Sequence, residues 1–324
     1  MTCVNTIVMH SEFNFIQNIK KSYSLEKIGD DCAVLPKDDA TDLLVSADML
    51  VEDIDFRLEW SPPRFLGHKA LAVSISDIAA MGGKPKWSLL SIGVPEKVWN
   101  SGFMDEFFDG YRRLAHNFQV ELVGGDISRT PDKIVIDSVV GGEVPKGAAV
   151  LRSGAKPGDA IYVSDALGGS AAGLILLEQG LRYGESNRIW QDKLLLWHLQ
   201  PYPSSGEFFR ETGATAMIDL SDGLSSDLKH ICDASGVGAN IDVHSIPIEK
   251  KIDGLRRSPE SRLELALNGG EDYELLFTMP ANVVVPKRGR EVIRIGTITE
   301  NAGEILLTDG TTSWPLEALG FQHF

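Results

Sequence analysis

The sequence predicts a two-domain α/β protein, and three observations carry that prediction. Short apolar runs of strand length alternate with longer stretches of helical period along the chain. The 324 residues suffice for two cores of ordinary size. One Gly-, Lys- and Pro-rich stretch, residues 146–164, interrupts the alternation near the middle. The division falls within it, giving domains at residues 1–150 and 151–324.

In the first half, Phe13, Ile16 and Ile19 stand near helical spacing within residues 13–21. Residues 43–46 are a short apolar run that suits a buried strand, and they lead into the acidic segment SADMLVEDIDF. Residues 65–81 are small and apolar all round, the signature of a buried helix. Residues 86–94 suit a strand. Phe103, Phe107, Tyr111, Leu114 and Phe118 repeat with the 3.6-residue period, so residues 102–118 form an amphipathic helix. A strand over 120–123 ends at Gly124-Gly125-Asp126, and a longer one covers 133–144.

In the second half, residues 160–164 read as a strand and 168–180 as a Gly-led helix. A strand over 215–219 precedes a helix over 222–234. Further strands are expected at 239–243, 273–278, 293–298 and 305–308. No fixed-period repeat is present, which excludes solenoids.

Acidic residues outnumber basic ones 46 to 31, a net charge of −15. With no basic stripe to neutralise phosphates, nucleic-acid and anionic-membrane binding are not expected. The three cysteines show no CxxC spacing, so neither a disulfide framework nor a structural zinc site is indicated. The N-terminus lacks the basic and apolar regions of a signal peptide. No run of about 18 apolar residues occurs, so no membrane-spanning helix is expected. A soluble, cytoplasmic protein follows as the expectation.

The common phosphate-binding signatures are absent: no GxxxxGK[ST], no GxGxxG after a strand, no HRDxxxxN. What remains is a scattered set of aspartates. Asp30-Asp31 form an acidic pair that a turn alone would also explain. Asp48 follows an apolar strand, where an unpaired carboxylate is expensive. Asp77 lies inside the apolar helix with no basic residue within a turn. Asp126 follows two glycines, Asp219 ends a strand and Asp222 stands at a helix start, a place that also suits phosphate. Gly269-Gly270-Glu271-Asp272-Tyr273-Glu274 sets three acids beside a glycine pair. Carboxylates at strand ends and helix starts suit several Mg²⁺ ions, which would reverse the field of an acidic site.

These segments resemble the thiamine-monophosphate kinase family, of the superfamily that includes aminoimidazole ribonucleotide synthetase. The matching stretches are IGDDCAVLP, VSADMLVEDIDF, KALAVSISDIAAMGGKPKW, LVGGDISR, LRSGAKPGD, IDLSDGLSSDL, NGGEDYELLF and GFQHF, in the family's order. The resemblance implies an aminoimidazole ribonucleotide synthetase-like α/β (α+β) fold whose N-terminal strands pair across a homodimer. It implies ATP-dependent phosphorylation of thiamine monophosphate to thiamine pyrophosphate by direct in-line transfer with Mg²⁺.

By the same resemblance Asp31, Ser46, Asp48, Asp77, Asp126, Asp219 and Asp222 hold metal, with Ala47 contributing through its main-chain carbonyl. Gly125, Asp126, Arg152 and Ser221 contact ATP. Asp55, Glu271 and Phe321 contact the substrate, and Asp126, Asp219 and Asp222 stand at the reacting phosphates. Two departures accompany the match. The family has Ser/Thr-Thr-Asp where this chain has Ser46-Ala47-Asp48, and Gly-Val-His-Phe where it has Asp53-Ile54-Asp55-Phe56. Related dehydratases need a C-terminal cysteine, and this chain ends GFQHF. Other ATP-dependent enzymes of the superfamily, or a non-catalytic nucleotide or thiamine-phosphate sensor, are the alternatives.

Overall fold

The computed structural model describes residues 12–286 and 291–321. The first half contains α1 (Glu12–Tyr23), β1 (Ala33–Pro36), β2 (Thr41–Val51), α2 (Pro63–Ala80), β3 (Lys84–Val94), α3 (Glu96–Trp99), α4 (Phe103–Phe118), β4 (Glu121–Arg129) and β5 (Val135–Pro145). The second contains β6 (Ala160–Val163), α5 (Gly169–Glu178), α6 (Ile189–Leu199), α7 (Glu207–Thr212), β7 (Ala216–Asp219), α8 (Leu224–Ser235), β8 (Gly238–Asp242), α9 (Pro259–Asn268), β9 (Leu275–Met279), β10 (Ile293–Thr299), β11 (Ile305–Thr308) and β12 (Ser313–Pro315).

Two mixed sheets result, and they share no strand. The first runs β1-β2-β5-β3-β4, with only β3 and β4 parallel. The second runs β12-β11-β8-β10-β6-β9-β7, with only β8 and β11 parallel. Helix α2 lies against both. It packs on the first sheet and α4 through Leu66, Ala70, Leu71, Ile75 and Ile78. Its C-terminal Ala80 joins a cluster with Val150 and with Phe209, Met217 and Phe277 of the second half. Burial from every side explains why this helix is apolar all round rather than striped.

The approach of α2 to α4 is very close, because glycines face backbone on both. A Cβ at Gly67 would stand 1.9 Å from the Phe107 carbonyl oxygen, and one at Gly110 1.8 Å from that of Arg64. The amphipathic α4 buries Phe103, Phe107, Tyr111 and Leu114 as its period predicts.

Several elements differ from the sequence expectation. Strand β2 runs from Thr41 to Val51, so Asp48 lies inside it rather than after it. Alternation then puts Asp48 on the face of Leu44, Ser46 and Leu50, with Ala47 on the opposite face. Strand β4 does not stop at the glycines but continues to Arg129, because Gly125 fits where a Cβ would meet the Leu90 carbonyl oxygen at 1.8 Å. The Asp222 helix begins two residues later, at Leu224. The strand expected from Tyr273 starts at Leu275, after a tight turn with positive φ at Gly270, Glu271 and Tyr273. Helices α6, α7 and α9 were not expected at all.

Replacing Gly110 by Ala tests the helix contact. A mid-helix Gly→Ala change normally gains up to about 1 kcal/mol. Here the clash should reverse the sign and cost about 2–3 kcal/mol in chemical denaturation. Equal stability for wild type and Gly110→Ala would show that the helices can part freely.

Candidate active site

Four segments far apart in sequence converge on one group of carboxylates. Oxygens of Asp31, Asp77 and Asp219 lie within 4.8 Å of one another. Asp31 comes from the loop before β1, Asp77 from the last turn of α2, and Asp219 from the end of β7. Asp48 of β2 joins them through Ser46, whose hydroxyl lies 3.4 Å from Asp48 Oδ2 and donates to Asp77 Oδ2. The Ser76 hydroxyl donates to Asp219 Oδ2 at 2.6 Å. Ser74, three residues before Asp77, donates to the Ser138 carbonyl of β5 at 3.0 Å and ties the helix to the sheet.

Charge is poorly balanced here. Two ionised carboxylates at 4.8 Å repel by about 3.5 kcal/mol at an effective dielectric of about 20. A single hydroxyl bond returns about 1 kcal/mol. Burial, with this repulsion added to it, wins, so the aspartates hold their protons above the usual range. Burial raises Asp77 well above it, with the charges of Asp48, Asp219 and Asp31 adding to the effect. Burial likewise raises Asp31 and Asp48, and it pushes Asp219 up to about 8.

One cation answers this charge directly. The Arg152 guanidinium donates to Asp31 Oδ1 from Nε at 3.2 Å and Nη2 at 2.6 Å. The Arg152 amide donates to Asp30 Oδ1 at 2.7 Å, so the two acids of the pair grip one residue of the second half. The other Asp31 oxygen is buried with no hydrogen-bond partner. An orphaned carboxylate oxygen beside two more carboxylates is an oxygen-rich donor set, and it fits a hard divalent cation such as Mg²⁺.

A second group surrounds the start of α8. Oxygens of Asp222 and Asp227 and a ring nitrogen of His230 lie within 4.8 Å. The helix is not capped by Asp222. Instead Asp227 Oδ2 accepts from the amides of Asp222 and Gly223, at 3.2 and 3.0 Å, and fixes the turn that presents Asp222.

The carboxylates open into a cleft of ≈ 360 Å³ whose lining includes Asp48, Asp77, Asp219, Ser221 and Asp222. Phe56, Trp60, Tyr273 and Phe321 supply aromatic surface, and Asp55, Glu178, His198 and Glu271 supply polar groups. The three acids of the GGEDYE turn have separate tasks. Glu271 pairs with Lys69 Nζ at 2.7 Å and His198 Nδ1 at 3.0 Å. Asp272 accepts from the Gly168 and Ser170 amides at the start of α5. Glu274 accepts from the Ser164 and Ser204 hydroxyls.

Asp31, Ser46, Asp48, Asp77 and Asp219 are therefore brought together, with Asp222, Ser221, Glu271, Asp55 and Phe321 along the same cleft. Asp55 has a further task, since its Oδ2 accepts from the Val51 amide at 2.7 Å and closes the turn after β2. Gly125 and Asp126 stand apart from both carboxylate groups. They lie on β4, an exposed edge strand, where Asp126 is opposite Ser91. Ala47 faces away from Asp48. The last three residues of the GFQHF segment lie outside the described residues.

Sequence reasoning passed over Lys69, His198, Asp227 and His230. Lys69 had a usable signal: a lysine in an apolar helix, eight residues before Asp77 and so on the same face. His198 had none.

Residues 29–144 match the family model of the AIR synthase related protein, N-terminal domain, and residues 156–308 that of the C-terminal domain. The thiamine-monophosphate kinase of Escherichia coli K12 is 40% identical over 313 residues, covering 92% of this chain and 91% of its own. That of Bacillus subtilis 168 is 37% identical over 311 residues, with 92% and 93% coverage. The solved structure of AaThiL complexed with AMPPCP and TMP superposes with a TM-score of 0.87 at 33% identity, covering 97% of each chain.

The raised carboxylates predict how stability follows pH without divalent cations. Their folded pKa values lie above the unfolded value of about 3.9. The folded state therefore holds more protons, and the stability this gives is complete below pH ~4 and lost as pH rises toward 8. In EDTA, the melting temperature should fall from pH 5.5 to 8, and Asp219→Asn should flatten the fall. A melting temperature that rises over that range would contradict the electrostatics.

Proposed function

Because the chain belongs to the AIR synthase related family and, within it, to the thiamine-monophosphate kinases, we propose that the carboxylate-lined cleft brings ATP and thiamine monophosphate together. The γ-phosphate of ATP passes to the substrate phosphate, giving thiamine pyrophosphate and ADP. The observation that carries this reading is the continuity of the cleft: buried carboxylates line it alongside an aromatic and polar wall. A polyphosphate held through cations suits the carboxylates. A flat, cationic two-ring substrate suits the wall.

Asp31, Asp48, Asp77, Asp219 and Asp222 would hold Mg²⁺, with Ser46 and the Ala47 carbonyl beside them. Bound there, the ions would supply positive charge that screens the two polyanions and steadies the transferring group. Arg152, already stretched across to Asp31, is placed to exchange that carboxylate for an ATP phosphate through its planar fork. Ser221 sits in the cleft next to Asp222.

No general base is required. The attacking oxygen belongs to a phosphate that is anionic at neutral pH. As it bonds to the γ-phosphorus, the bond to the β,γ-bridging oxygen breaks and its electron pair leaves with ADP. Among the described residues the histidine lining the cleft is His198, and it is committed to Glu271 rather than to an acceptor hydroxyl.

We further propose that the working form is a cytoplasmic homodimer with units at 1–150 and 151–324. Support comes from β4, whose outer edge is unpaired in the sheet and whose Leu122, Val123 and Ile127 are exposed. A second copy covering β4 would also give Gly125 and Asp126 an ATP-side role that one chain alone does not show. No helix among the described residues is long and apolar enough to cross a membrane.

Purified protein with ATP, Mg²⁺ and thiamine monophosphate should form thiamine pyrophosphate and ADP, with no labelled phosphoenzyme. Asp219→Asn should lower kcat by about 10²–10³-fold, the range seen when one charge-stabilising group is removed. Above pH 8 its melting temperature should hold or rise, because the charge that Asp219 carries there is gone. Absence of product across Mg²⁺ concentrations, or normal turnover in Asp219→Asn, would overturn the assignment.

A further inference from the structure

A second pocket, of ≈ 400 Å³, lies between the end of α5, the start of α6 and the short 3₁₀ helix Lys250–Leu255. It shares no lining residue with the carboxylate cleft. Its volume is that of a small-molecule site, and its charge is opposite to that of the chain. Arg188 and Arg257 line it and no acidic residue does, in a protein of net charge −15. Among the described residues neither guanidinium makes an ion pair. The acids nearest in sequence are taken by others: Asp253 by Arg262, and Asp192 Oδ1 by the Gly184 amide at 3.2 Å. Arg257 Nη1 donates to the Ser261 hydroxyl at 3.1 Å, a neutral partner. Two like charges facing one pocket without an acid between them favour an anion there. Helix α6 adds to this, since its N-terminus begins at the pocket and no side chain caps it.

The pocket also has an aromatic wall. The Trp190 indole is pressed onto Gly254, where an added Cβ would stand 2.8 Å from the ring atoms. Its ring is thereby held in place while it lines the pocket. Gln179 and Gln191 supply amide groups beside it, which both donate and accept. A fixed indole suits the face of a flat ring, and planar guanidinium forks suit phosphate.

The helices that build this pocket also build the cleft. Helix α5 gives Leu176 to the pocket and Leu174 and Glu178 to the cleft. Helix α6 gives Trp190 to the pocket and, about 12 Å further along, His198 to the cleft. The two helices are locked together, since a Cβ at Gly173 would meet the Leu194 carbonyl oxygen at 2.2 Å. Trp60 of the cleft belongs to the apolar cluster against which Trp190 packs.

We propose that this pocket is a second binding site, for a small ligand that joins a flat ring to a phosphate or diphosphate, and that its occupancy is felt in the cleft through α5 and α6. Arg188 and Arg257 take the phosphate and Trp190 takes the ring. A nucleotide and a thiamine phosphate share this chemistry. Binding is read without turnover, so the kinase reading bears on the kinetic arm of the test alone.

The probes are AMP, thiamine pyrophosphate and inorganic phosphate. Each is titrated by calorimetry into the full chain with its cleft saturated by Mg²⁺, thiamine monophosphate and a non-hydrolysable ATP analogue. One of the two aromatic phosphates should bind with a Kd below about 1 mM, and about tenfold or more tighter than inorganic phosphate. The tighter of the two identifies the source as nucleotide or thiamine. Arg188 and Arg257 are exposed, so Arg188→Glu combined with Arg257→Glu should leave kcat and melting temperature unchanged without probe. The double variant should bind the probe about tenfold or more weakly, through lost charge-assisted hydrogen bonds. In turnover, the probe should shift the KM for thiamine monophosphate about fivefold more in wild type than in the double variant.

Weaker binding of both aromatic probes, equal affinity in the double variant, or equal affinity for inorganic phosphate would overturn the site. Equal KM shifts in the two enzymes would overturn its link to the cleft. Should the double variant fail to fold, Arg257→Gln decides by the same comparisons. Failure of the wild type to phosphorylate thiamine monophosphate sinks the kinase reading and leaves the binding result standing.

Discussion

The structure turns on the mutual repulsion of buried aspartates. Asp31, Asp77 and Asp219 meet within 4.8 Å, with Asp48 beside them. Among the described residues, one arginine and a few hydroxyls stand against that charge. Protons or cations must make up the rest. Such an arrangement lowers the stability of the empty protein, and it persists only because the surrounding fold holds it in place. Stability is given up where the chemistry is done.

Helix α2 is the brace. It is buried against both sheets and pressed onto α4 where neither Gly67 nor Gly110 has room for a Cβ. One face carries Lys69, Val73, Ser76 and Asp77, which explains how a single rigid element serves both ends of the cleft. Bonds across the two halves hold its position: Ser76 to Asp219, Lys69 to Glu271, and His68 Nε2 with the Pro201 carbonyl at 2.7 Å. Glu271 therefore lies a fixed distance from Asp77.

Much of this was legible in the sequence, and the limits have physical causes. The period of α4 and the uniform apolarity of α2 announced their burial correctly. An aspartate inside α2 without a basic neighbour was a sound sign of a special site, since burial without a partner is costly. The resemblance to a kinase family supplied the substrate, and eight of the residues it singled out line the cleft. What escaped was tertiary. Nothing near His198 in sequence reveals that Glu271 lies 3.0 Å away, and the apolar run of α6 reads equally as strand or helix. The GGEDYE acids look alike in one dimension, yet one binds a lysine, one caps a helix and one accepts from serines. The glycines before Asp126 suggested a strand end because glycine usually weakens strands. Here they allow close pairing with β3, and Asp126 is left on an exposed edge.

Relief of aspartate repulsion by divalent cation is the central claim, and proton release reads it directly. Titrating Mg²⁺ into metal-free protein by calorimetry at pH 7, in buffers of different ionisation enthalpy, gives the number of protons expelled. The account predicts net release, because carboxylates such as Asp219, with a pKa of about 8, must ionise to bind the metal. Binding with no proton release, or with uptake, would show that the aspartates are already ionised and that the electrostatic account is wrong.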